Sequence, residues 1–107
     1  EAVKAEYEAL AKANENSWRI LFSIANVFSY NEYFKEAIPM WQKTFDCMPK
    51  PRYTDSFEAM AQCCIRMGDH ERAVEYYKKE LELLREDWGL KYGAEVDALE
   101  EKIRALQ

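Results

Sequence analysis

The stretch Met67-Gly68-Asp69-His70-Glu71-Arg72-Ala73-Val74-Glu75-Tyr76-Tyr77-Lys78-Lys79 decides how this chain is read. Gly68 ends one helical pattern, and Asp69, whose carboxylate can accept from free backbone N–H groups, opens the next. Downstream, Ala73, Val74, Tyr77, Leu81 and Leu84 recur at helical spacing, in a helix that reaches Trp88. Upstream, Phe57, Met60, Ala61, Cys64 and Ile65 mark the apolar face of another helix, starting at Thr54 or Asp55. Asp55 with Glu58 three residues on resembles a capping box. Gly68–Asp69 thus separates two amphipathic helices by a short turn.

The pattern occurs twice. Ala61 stands 36 positions after Ala25, and Ala73 stands 36 after Ala37. Phe57, Met60 and Tyr77 follow Leu21, Ile24 and Trp41 by the same 36. The earlier copy is a helix capped by Ser17, with Trp18, Leu21, Ile24, Ala25 and Phe28 on one face, ending near Tyr30–Asn31. Its partner runs from Tyr33 to Cys47 and buries Ala37, Ile38, Trp41, Thr44, Phe45 and Met48. Pro39 falls within its first two turns, where proline is tolerated with a slight bend. Pro49 and Pro51 end it. Before this copy, Glu1 to Ala13 forms a helix with Val3, Tyr7 and Leu10 as its stripe, Tyr7 lying 34 before Trp41. After the second copy, Gly89 and Gly93 bracket a loop, and a last helix from Ala94 to Leu106 carries Val96, Leu99, Ile103 and Leu106 on a narrow seam. The aromatics fall on apolar stripes and are expected in the core.

These residues resemble the tetratricopeptide repeat, whose period is about 34 residues. Ala25, Ala61, Ala37 and Ala73 fall where that family needs small side chains between close helices. Glu32 stands where it usually has Gly, Glu80 takes the place of a late Ala, and Pro51–Arg52 lengthen the inter-repeat turn. The expected fold is all-α: about six helices in antiparallel TPR-like hairpins, wound as a right-handed superhelix. The expected layout is a single domain over 1–107, with a half repeat or capping helix at 1–14, repeats at 17–50 and 53–88, and a capping helix at 94–107. The segment Leu83-Leu84-Arg85-Glu86-Asp87-Trp88-Gly89-Leu90, the Gly93-Ala94 loop and the closing helix also resemble the end of the bacterial transcriptional activator domain. There, such a domain follows a winged-helix DNA reader and makes regulatory protein contacts.

The repeat family lines its concave inner face with the first helix of each pair. By register that face is Arg19, Phe22, Asn26, Ser29 and Tyr30 in one repeat, and Asp55, Glu58, Gln62 and Arg66 in the next. Some relatives grip a peptide carboxylate with Lys and Asn there. Here Asn26 fits, but Phe22 replaces the Lys and Glu58 repels an anion, so that grip is not expected.

Composition narrows the classes. The chain has 107 residues, 49% hydrophobic and 33% charged, with three Gly and three Pro. A net charge of −5 without a basic cluster argues against direct nucleic-acid or anionic-membrane contact. No apolar run approaches the roughly 20 residues of a bilayer span. Cys47, Cys63 and Cys64 read as reduced core thiols of a cytoplasmic protein. They do not form a zinc set with His70, because adjacent helical cysteines point about 100° apart. His70 is the only histidine and has no fixed acid partner. Glu86–Asp87 and Glu100–Glu101 are carboxylate pairs of an ordinary helix surface. No catalytic residue, metal or cofactor is expected.

Beginning at Glu1, the chain reads as a domain of a larger protein. Its expected function is non-catalytic protein–protein interaction, with a protein or peptide segment as partner, in a bacterial regulator of transcription. A scaffold domain unrelated to transcription, or a helper domain appended to an enzyme, are the alternatives. A homodimer through the terminal helices is a further expectation, since exposed repeat edges are adhesive.

Overall fold

Six stretches rich in helix formers, separated by Asn, Pro or Gly, become six helices among the described residues, 2–107, of the computed structural model. They are α1 (Ala2–Ala13), α2 (Trp18–Tyr30), α3 (Phe34–Cys47), α4 (Asp55–Arg66), α5 (His70–Trp88) and α6 (Ala94–Leu106). No strand occurs among these residues. Each helix packs on the next in sequence, with α2 on α3 and α4 on α5 the most extensive pairs. Of helices not consecutive in sequence, α2 and α4 touch. This is the architecture of TPR-like helix hairpins stacked side by side.

The expected small residues sit at the helix crossings. Ala25, Ala37, Ala61 and Ala73 have no exposed surface. With nothing beyond Cβ, they let the paired backbones approach, and larger side chains fill the space around them. Phe28, Trp41, Phe45, Phe57 and Tyr77 are buried there. Phe45 and Phe57, with ring centroids 4.5 Å apart, join one hairpin to the next.

The turns follow local chemistry. Gly68 takes a left-handed φ of 81°. Asp69 then caps α5, its carboxylate accepting from the Arg72 backbone N–H at 3.2 Å. Left-handed Gly89 closes α5, and the N–H groups of Gly89 and Leu90 donate back to Arg85 O and Leu84 O at 3.1 and 2.9 Å. Glu32, 36 positions before Gly68, has a φ of 64°. It therefore holds a conformation that favours glycine.

Several expectations change. The stripe Val3–Tyr7–Leu10 does not face inward: Val3 and Leu10 are 59% and 46% exposed. Instead α1 turns Ala11 and part of Tyr7 inward, and the Lys4 Nζ–Glu36 Oε2 pair at 3.0 Å ties it to α3. Ser17 holds the N-cap position of α2 without a side-chain hydrogen bond. The Asp55–Glu58 capping box does not form, because Thr54 occupies the cap and Asp55 is already helical. Leu81 and Ile65 are half-buried, while Leu83 and Met40 are buried. Asp87 is not an ordinary surface carboxylate: Arg52 encloses it.

Candidate functional site

The nine residues expected on the inner face separate into three environments. Near the N-terminal ends of α2 and α4, Arg19, Phe22 and Asp55 line one cleft of about 380 Å³, together with Trp18 and Tyr53. Phe22 stands edge-on to Trp41 at 5.0 Å and to Trp18 at 6.5 Å. The Arg19 guanidinium lies 5.0 Å from the Trp18 ring. Tyr53 tilts against Trp18 at 5.7 Å.

In the middle, most of the expected side chains are occupied with each other. Trp41 Nε1–H donates to Ser29 Oγ at 2.8 Å, and Ser29 Oγ lies 3.6 Å from Cys63 Sγ. Glu58 joins three helices. It accepts from Gln62 at 3.1 Å and from Lys102 of α6 at 3.1 Å, and the Tyr77 hydroxyl reaches it at 3.5 Å. Gln62 also donates to the Tyr77 hydroxyl at 3.0 Å. Burial, then the negative charge of Glu58, pushes Tyr77 up to about 12. Asn26 is exposed.

At the far end, Arg66 pairs with Glu32 at 3.0 Å and lies over the Phe34 ring at 5.3 Å. Tyr30 is 89% exposed.

Three aromatics near this face lie outside the core, against the expectation that the aromatics are buried. Trp18 is half-buried, and Tyr53 and Trp88 are 50% and 47% exposed. Tyr53 borders a second cleft with Asp55, Leu84, Trp88, Leu90 and Glu95, between α4, α5 and α6. A third hollow, walled by the Pro49–Pro51 turn, runs between Trp18 and Trp88. Helix ends and proline turns leave large side chains uncovered, because no neighbouring helix continues past them. The nearby Pro49, Pro51 and Gly89 were the available signal.

The turn is held rigidly. Arg52 donates to Asp87 through its backbone N–H, Nε and Nη2 at 2.9, 2.8 and 3.0 Å. Its guanidinium lies 4.5 Å from the Phe45 ring. Trp88 Nε1–H donates to Arg52 O at 2.7 Å. These hydrogen bonds bring the Asp87 carboxyl down to about 2.

Residues 56–87, most of the α4–α5 hairpin, match the family model for the tetratricopeptide repeat. A search of curated proteins returns no match to the chain. Repeats of this kind generally mediate protein–protein contacts.

Cys63 and Cys64 are buried free thiols, and burial raises both pKa values, so they are poor nucleophiles. His70 is exposed at the start of α5. Among the described residues, no group of three or more His, Cys, Asp or Glu is placed to hold a metal ion. None of the described helices is long and apolar enough to cross a membrane.

Proposed function

We propose that this chain is a non-catalytic module that binds a peptide segment of another protein across the α2–α4–α6 face. We place it in the regulatory domain of a larger bacterial regulator of transcription. One observation carries the binding role: the cleft of Trp18, Arg19, Phe22, Tyr53 and Asp55 where α2 approaches α4. Partly exposed aromatic rings bring large contact area at low entropic cost, and the opposite charges of Arg19 and Asp55 at the rim give orientation. The transcriptional assignment is supported by the likeness of Leu83–Leu90 and the closing helix to the bacterial activator domain.

Selection from a displayed library of random dodecamer peptides tests the binding role. Selected peptides should lose affinity about tenfold or more when Arg19→Glu and Arg66→Glu are combined, since oppositely charged contacts become repulsive. Circular dichroism should show the same helix content in variant and wild type. Unchanged binding by the folded variant sinks the proposed face. The transcriptional role is checked on the complete gene: a winged-helix domain before Glu1 supports it, and a catalytic domain there overturns it.

A further inference from the structure

We infer that the second cleft, between α4, α5 and α6, receives an arginine side chain of the bound peptide. The inference rests on the peptide-binding reading above and names the chemistry of one subsite within it.

The walls favour a flat cation. Tyr53 and Trp88 present half-exposed rings, and Leu84 and Leu90 supply apolar surface. The Trp88 indole is held in place by its bond to Arg52 O. A guanidinium stacks on aromatic faces better than an ammonium does, and its weak hydration lowers the cost of entry.

The charges at the rim have one sign. Asp55 comes from α4 and Glu95 from the first turn of α6. Of the nearby cations, Lys102 is paired with Glu58 at 3.1 Å and Arg52 with Asp87 at 2.8 Å, while Arg19 lies in the adjoining cleft, over Trp18.

The α5 wall carries a second feature, outside the cleft's own lining. Glu80 sits one turn before Leu84 and two before Trp88 on the same face of α5. Only 6% of it is exposed, and its Oε1 has no hydrogen-bond partner. It feels Glu58 and Asp55 from α4, and Lys102 and Glu95 from α6. Burial and these acids raise its pKa to about 8. A buried carboxyl with an unpaired oxygen is costly, and a cation bound in the neighbouring cleft adds to the charge that Lys102 already supplies. An apolar side chain would cover Asp55 and Glu95 without pairing them, and an anion would be repelled.

The probe is N-acetyl-arginine methylamide, titrated into the isotope-labelled chain and followed by NMR. The neutral isostere N-acetyl-citrulline methylamide serves as control. The arginine probe should move the Trp88 indole N–H and the Leu84 and Glu95 amides, and shift the Glu80 carboxyl carbon toward its ionised value. Citrulline should bind about tenfold more weakly, and Glu95→Gln, an exposed change that leaves the fold alone, should weaken the arginine probe several-fold. Glu80→Gln should do the same, and a Gln there also keeps the neutral form already favoured in the fold. Equal binding of citrulline, shifts elsewhere, or unchanged affinity in both variants overturns the inference. Dodecamer selection on the same face is independent of this result. Peptides that bind there without a basic residue overturn the arginine subsite and leave the binding module standing.

Discussion

Arg52 and Asp87 are joined by three hydrogen bonds, one from the Arg52 backbone and two from its guanidinium, at 2.8–3.0 Å. The contact clamps the turn between the two hairpins onto the last turn of α5. It also positions Tyr53 and Trp88, which flank Arg52 and Asp87 in sequence and line the second cleft.

The clamp predicts an acid-sensitive step. Asp87 titrates at about 2 in the folded chain against an ordinary 3.8. A lowered folded pKa contributes stability that is fully present above the unfolded value and is lost as pH falls through the folded one. Wild type should therefore lose stability between about pH 4 and pH 2, and Asp87→Asn should flatten that limb. Urea denaturation across this range measures it. An unchanged acid limb in Asp87→Asn would show that the pair does not form in solution.

Glu80 predicts the opposite slope. Its folded pKa, about 8, lies above the ordinary 4.5. Its stability contribution is complete below about 4.5 and is lost as pH rises through about 8. Glu80→Gln should stabilise the chain by roughly 1–3 kcal/mol at neutral to alkaline pH, and by little at pH 4. Chemical denaturation at the two pH values reads the difference. A variant with equal gains at both contradicts a protonated Glu80.

Glu32 and Gly68 occupy equivalent turns with φ of 64° and 81°. A residue with a Cβ pays about 1 kcal/mol or more there. Gly68→Ala should destabilise by about 1 kcal/mol. Glu32→Gly should gain up to about 1 kcal/mol, offset in part by loss of the exposed Arg66 pair. Thermal unfolding should move in opposite directions for the two variants, and movement in the same direction would contradict the strain at Glu32.

Ala61 has no exposed surface where α4 meets its neighbours. Ala61→Leu should force the helices apart and cost about 1–3 kcal/mol. Ala13→Leu, on an exposed helix position, should change stability by less than about 0.5 kcal/mol. Urea midpoints compare them directly.

The helices and their pairing were readable from sequence because they depend on near neighbours. Helical spacing placed Leu21, Ile24, Phe28, Met60 and Tyr77 inward, and the 36-residue offset between Ala25 and Ala61 disclosed the repeated hairpin. Asp69 and Gly68 declared their turn by residue type alone. What spacing could not supply was the relation between segments brought together only by packing. Which face α1 turns inward, the removal of Ser29, Glu58 and Gln62 into side-chain networks, and the exposure of Tyr53 and Trp88 all depend on the helix lying opposite. Arg52 finds Asp87 across 35 positions of chain, and Glu80 is buried on a helix that packs against both α4 and α6. One-dimensional periodicity states which side of a helix is apolar, whereas partners and burial depend on three-dimensional neighbours. The sequence thus determined a TPR-like helical repeat, and tertiary packing decided which residues of its face stay exposed.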